Sequence, residues 1–119
     1  AHFYFPTLHD TTNQKVQENT TLSIEFGLDT SGCETHETDK RIIISKWHES
    51  SRTYGECCVL VLQDAKCKYT SSRDHLCGCL NGTDDYHFTK KVDRNDSTHW
   101  KWQTFDGTAK EHEIFLNVT

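Results

Sequence analysis

The chain has 119 residues and a formal net charge of -5 with histidine neutral. No basic run is longer than a pair such as Lys90-Lys91, so binding to nucleic acid and attraction to anionic membranes lack electrostatic support. No apolar run approaches the roughly 20 residues that a spanning helix needs, which excludes direct membrane insertion by this segment as a helix.

This length suits one domain over residues 1–119. Hydrophobic residues make up only 34%, and the deficit is offset by three Trp, six Phe and four Tyr, which bury large areas each. The eight His are scattered along the chain and read as surface residues, since a pH switch needs a bistable element.

Taken in order, short β-type runs alternate with polar turns. Pro6, the only proline, stands near the start, where an edge strand tolerates it. Leu22 to Phe26 alternates apolar and polar residues. Arg41 to Trp47 contains Ile42-Ile43-Ile44. Val59 to Leu62 is a continuous apolar run, expected to be buried on both faces. Tyr86-His87-Phe88 begins another strand, and Trp100-Lys101-Trp102 alternates again. Ile114 to Val118 places Ile114, Leu116 and Val118 on one face and Asn117 outward on the other. Gln63 to Lys66, Asn81-Gly82 and Asp106-Gly107 supply turns. About seven or eight short strands of this kind indicate an all-β sandwich or barrel.

Two features point to the secretory route. Cys33, Cys57, Cys58, Cys67, Cys77 and Cys79 form an even set in a small domain, the pattern of a disulfide framework. Asn19, Asn81, Asn95 and Asn117 each open an N-x-S/T sequon and are glycosylation candidates. The expected location is extracellular, as a secreted protein or the ectodomain of a membrane protein. The chain opens on Ala1-His2-Phe3-Tyr4 without a leader, which suggests a mature or excised module of a larger protein.

Adjacent Cys57 and Cys58 are expected on opposite strand faces with different partners. If Asp64-Ala65 is a two-residue turn, Cys67 lies opposite Leu62, too far from both. Cys67 is therefore assigned to Cys77 or Cys79, and Cys33 to Cys57 or Cys58. His75-Leu76-Cys77-Gly78-Cys79 offers three metal-type ligands but no C-x-x-C pair, so neither a metal site nor a redox dithiol is expected.

Val92 to Trp102, V-D-R-N-D-S-T-H-W-K-W, resembles the corner between strands E and F of immunoglobulin variable-type domains. Asp96 sits at that family's Asp, Trp100 at its corner aromatic and Trp102 where its second core Cys stands. Val16 to Phe26 resembles the segment leading into strand B, with Phe26 at the first core Cys. Ile114 to Val118 resembles strand G. The resemblance implies an immunoglobulin-like two-sheet antiparallel sandwich with non-standard disulfides. In it a Phe26–Trp102 contact replaces the core bridge, and Trp47 is the candidate for the core Trp of strand C. These departures resemble those of invertebrate recognition and adhesion receptors.

No catalytic motif is present: there is no G-x-S-x-G, P-loop, H-E-x-x-H or G-x-G-x-x-G. Asp84-Asp85 and Asp93 with Asp96 read as solvated turn acids. The chain is therefore expected to be a non-enzymatic, cofactor-free recognition or adhesion module. Its partner would be a protein (homophilic or heterophilic) or a glycan, in cell recognition or innate immunity. The alternative is a free-standing secreted disulfide-rich ligand or inhibitor. Glycans at Asn19 and Asn95 would crowd one end. The stapled segment Cys67 to Cys79, carrying Tyr69, Arg73, Asp74 and His75, is the candidate contact surface, because a fixed loop loses less entropy on binding.

Overall fold

The computed structural model describes residues 2–29, 40–63, 66–69, 75–80, 85–105 and 109–119. Among them the strands are β1 (His2–Tyr4), β2 (Asn13–Val16), β3 (Thr21–Asp29), β4 (Lys40–His48) and β5 (Thr53–Gln63), then β6 (Lys66–Tyr69), β7 (His75–Leu80), β8 (Asp85–Lys91), β9 (His99–Phe105) and β10 (Ala109–Val118). One sheet runs β1-β3-β8-β7 and the other β2-β10-β9-β4-β5-β6. All pairings are antiparallel except β2 with β10, which are parallel because the chain crosses from the first sheet to the second between β1 and β2.

Period-two alternation builds the core. β3 turns Ile24, Phe26 and Leu28 inward, β8 turns Tyr86 and Phe88 inward, β9 contributes Trp100 and Trp102, and β10 contributes Ile114 and Leu116. Phe26 lies at the centre of the aromatic packing, with ring centroids 5.5 Å from Tyr86, 6.0 Å from Trp102, 6.4 Å from Phe5 and 6.5 Å from Phe3.

Several expectations change. The described strands number ten, because β1, β2, β6 and β7 are short and carry little alternation of their own. Pro6 falls in the turn after β1 rather than within an edge strand. Val59 to Leu62 is not buried on both faces: Leu60 faces the core, and Val59 and Val61 are half-buried on the other side. Trp47 is not a core residue. β4 turns Ile42 and Ile44 inward, so alternation carries Trp47 out against Tyr54, at 5.0 Å between centroids.

The paired cysteines also depart from strict alternation. The register between β4 and β5 shifts at Ile44/Ser45, with Ile44 opposite Cys58 and Ser45 opposite Glu56. Cys57 is the extra residue of this bulge, so both Cys57 and Cys58 pack on the core. Cys58 is bridged to Cys77 and Cys67 to Cys79. Both bridges join β7 to the six-stranded sheet, through β5 and β6, and so tie the two sheets along one side. Cys67 lies opposite Leu62 in the β5–β6 register. Among the described residues Cys57 carries a free thiol, where the sequence suggests a bridge. Its candidate partner Cys33 lies outside the described residues.

Asp96 is not a solvated turn acid. Asp93 caps a single turn of 3-10 helix over Arg94–Asp96, and the Asp96 carboxylate folds back to accept from the Asp93 backbone N–H at 2.9 Å. The Asp96 side chain is 1% exposed and pairs with Lys46 Nζ at 2.9 Å and Lys90 Nζ at 2.8 Å. Burial pushes its carboxyl up, but hydrogen bonds from Lys90, the Asp93 backbone and Lys46 outweigh burial and hold it below the ordinary value. This cluster pins β4 and β8 to the turn that leads into β9.

Candidate interaction face

The residues that β9 and β10 turn away from the core lie on the outer face of the six-stranded sheet. Register sets Glu113 opposite Lys101, and Glu111 opposite Gln103. On the neighbouring strand Ser45 is opposite Lys101, and Ile43 is opposite Gln103. Ile43 is only 7% exposed although it faces away from the core. It forms the apolar floor of this face with Val59, its partner on β5.

Above that floor stands a connected polar and aromatic group. Lys101 Nζ lies over the Tyr54 ring, 4.1 Å from its centroid. The Tyr54 hydroxyl donates to Glu113 Oε1 at 2.5 Å. Gln103 donates to Glu111 at 2.9 Å, and Lys101 lies 3.9 Å from the same carboxylate. Trp47 packs edge-on against Tyr54 and donates from Nε1 to Glu49 at 2.8 Å. The Tyr54 hydroxyl is pushed up to about 12, by burial first and then by the hydrogen bond to Glu113 and the charges of Glu113 and Glu111.

The arrangement is pre-ordered. Each long side chain is held by a neighbour before any partner arrives, which lowers the entropic cost of docking. Aromatic residues over an apolar floor with a charged rim match the make-up of protein interfaces.

Of the four sequence-derived contact residues, two lie in the described strands. Tyr69 ends β6 and His75 opens β7, while Arg73 and Asp74 lie outside the described residues. The bridge between Cys67 and Cys79 does fix the base of that segment. Among the sequons, Asn19 and Asn95 are exposed and Asn117 is half-buried. Asn19 adopts φ 67°, a conformation asparagine tolerates well. Its N–H donates to Val92 O at 2.9 Å, and Glu18 pairs with Arg94 at 2.7 Å, so the Asn19 and Asn95 turns meet at one end of the sandwich. Asn81, the 30–39 segment and the Asp106-Gly107 turn lie outside the described residues. Asp85 is exposed on β8 and accepts from the Tyr4 hydroxyl at 2.9 Å.

Sequence reasoning misses this interaction face because it is assembled from four strands whose mutual register no local pattern reveals. The available signal is the outward parity of Trp47, Lys101 and Glu113 against buried neighbours.

No family model matches the chain, and no curated protein matches it in sequence. Solved structures do match its architecture. VGSC beta subunits, studied by photo-crosslinking for multimeric cell-adhesive interactions, give a TM-score of 0.69 at 12% identity over 91% of this chain and 91% of theirs. The extracellular domains of the voltage-gated sodium channel beta4 subunit, solved as parallel homodimers, give 0.68 at 12% identity over 95% and 94%. The RIG-5 IG1 homodimer gives 0.65 at 10% identity over 100% and 99%. At such identities the likeness is one of fold: the chain is an immunoglobulin-like sandwich of two β-sheets.

Proposed function

We propose that this chain is an extracellular recognition module of the adhesion type that docks a protein partner through the outer face of its six-stranded sheet, with a second copy of itself as the first candidate. The observation that carries the reading is the ordered group of Trp47, Tyr54, Lys101 and Glu113 over Ile43 and Val59. Opposite charges side by side on one face suit self-pairing about a two-fold axis, because the lysine of one copy can meet a glutamate of the other. Similar folds described as homodimers, or studied for cell-adhesive interactions, support the same direction.

The finer family reading is that of a variable-type domain. β5 and β6 extend the sheet beyond β4 as the two additional variable-type strands do. Phe26 and Trp102 take the place of the core cysteines, while the bridges sit at the β7 side. Two disulfides favour an oxidising compartment, in a secreted protein or an ectodomain.

Sedimentation of protein from a secretory host tests the proposal. Concentration-dependent dimers weakened at least tenfold by Tyr54→Ala and by Lys101→Glu are expected, about 1.4 kcal/mol or more for each. A protein that stays monomeric, and whose binding to cells survives both substitutions, overturns it. Tyr69→Ala and Arg73→Ala in the same assay report whether the Cys67–Cys79 segment contributes.

A further inference from the structure

The last residues of the chain read Phe115-Leu116-Asn117-Val118-Thr119, a sequon with an aromatic residue two positions before its asparagine. The corresponding residues before Asn19, Asn81 and Asn95 are Gln17, Cys79 and Asp93. β10 buries Ile114 and Leu116 in the core, so Phe115 and Asn117 project from the opposite face, about 7 Å apart along the strand. Phe115 is half-buried there, its ring edge-on to His99 with centroids 5.0 Å apart. The Asn117 side-chain amide makes no hydrogen bond among the described residues. The backbone around it is fixed, with the Thr119 N–H donating to Val16 O at 2.9 Å and the Glu18 N–H donating to Thr119 O at 2.9 Å. β2 covers the β10 edge, and Lys15 lies opposite Asn117.

We propose that Asn117 carries an N-linked glycan whose first N-acetylglucosamine packs on the Phe115 ring. In forming it, Asn117 Nδ2 attacks C1 of a lipid-diphosphate-linked oligosaccharide during secretion. A C1–N bond forms, the C1–O bond to phosphate breaks, the lipid diphosphate leaves, and the amide nitrogen releases one proton. The sugar presents a face of C–H bonds and an acetamide methyl, which an aromatic ring on the same strand face accommodates at the cost of little polar burial. His99 holds that ring in place. The glycan then borders the interaction face on the His99–Phe115 side, two residues along β9 and β10 from Lys101 and Glu113.

The test uses protein secreted from a glycosylating host. Glycopeptide mass spectrometry reads occupancy at Asn117, and thermal unfolding is compared across a cycle of Asn117→Gln, Phe115→Ser and the double variant. Thr119→Ala, which removes the sequon and keeps the asparagine, serves as the second way to lose the glycan. Asn117 is expected to be occupied. Loss of the glycan should lower the Tm by about 3–5 °C with Phe115 present and by nearly nothing in the Phe115→Ser background. The acetamide methyl proton should shift upfield in the ring current and return on Phe115→Ser. An unoccupied Asn117 overturns the proposal. So does an equal Tm loss in both backgrounds with the methyl at its free-sugar position.

Discussion

Phe26 and Trp102 meet across the two sheets with ring centroids 6.0 Å apart and planes at 74°, Phe26 at 1% exposure and Trp102 at 0%. The contact joins β3 to β9 through the middle of the core. The two tryptophans of β9 differ in one respect that governs their substitution. Trp100 Nε1 donates to Asp96 O at 3.0 Å, whereas Trp102 Nε1 is buried without a hydrogen-bond partner among the described residues.

Trp102→Phe should therefore cost little, under about 1.5 kcal/mol, since it removes an unpaired donor and keeps an aromatic ring against Phe26. Trp100→Phe should cost more, because it abandons a hydrogen bond and the Lys46 ammonium 5.8 Å from the ring centroid. Trp102→Ala should cost about 3–5 kcal/mol through the cavity it leaves. Urea unfolding of the three variants ranks them, and equal costs for the two phenylalanine variants would contradict the assignment.

Asp96 holds two ammonium groups with one carboxylate, so its removal leaves Lys46 and Lys90 without their shared anion. Asp96→Ala is expected to destabilise the fold by about 3–5 kcal/mol, with Asp96→Asn not much milder. The carboxyl is held below its ordinary value in the folded state. Its contribution is thus fully present above the unfolded value of about 3.9 and is lost as pH falls through the lower folded value. Acid unfolding below about pH 4 should be shallower in Asp96→Asn than in the wild type. Parallel acid titrations followed by tryptophan fluorescence check the difference.

How much of this is legible in sequence follows from where the determinants lie. β3, β9 and β10 can be read directly, since Ile24-Glu25-Phe26, Trp100-Lys101-Trp102 and Ile114-Phe115-Leu116 encode facing by alternation alone. The positions of Phe26 and Trp102 come from the family resemblance, and the structure brings those two rings together. Trp47 is misread because the resemblance asks for a core tryptophan on that strand, whereas parity counted from the buried Ile42 and Ile44 turns it outward. Cys57 is misread because a bulge depends on the partner strand and leaves no mark in the local pattern. β1 and β2 are defined by pairing with β3 and β10, contacts far away in sequence. Asp96 looks solvated because its cations, Lys46 and Lys90, lie 50 and 6 residues away, on β4 and β8.

The two bridges should respond differently to mild reductant. Cys58 and Cys77 are 1% and 0% exposed, while Cys67 and Cys79 are only partly buried. The bridge between Cys67 and Cys79 should open first, and the other should persist until the domain unfolds. Replacing Cys58 and Cys77 together by alanine should cost about 2–4 kcal/mol, plus the packing that the buried sulfurs supply. Burial pushes the Cys57 thiol up despite the nearby Lys46 and Lys90, so iodoacetamide should leave it unmodified at neutral pH until denaturant is added. Rapid labelling of Cys57 in the native protein, or loss of the Cys58–Cys77 bridge first, would contradict this order.

Tyr54 provides a readout of the interaction face in the absence of any partner. Its hydroxyl, pushed up to about 12 from the ordinary 10.0 by burial and then by Glu113 and Glu111, should remain protonated where exposed tyrosines already ionise. The raised folded value fixes the sign: the contribution to stability is complete below about pH 10 and is lost as pH rises from there towards 12. The difference in phenolate-band absorbance between the wild type and Tyr54→Phe should therefore isolate a late transition belonging to Tyr54. Glu113→Gln should move that transition down, because it removes a carboxylate that opposes ionisation and weakens the hydrogen bond. If Glu113→Gln leaves the titration unchanged, Tyr54 and Glu113 are not paired in solution, and the ordered face proposed for docking loses its central contact.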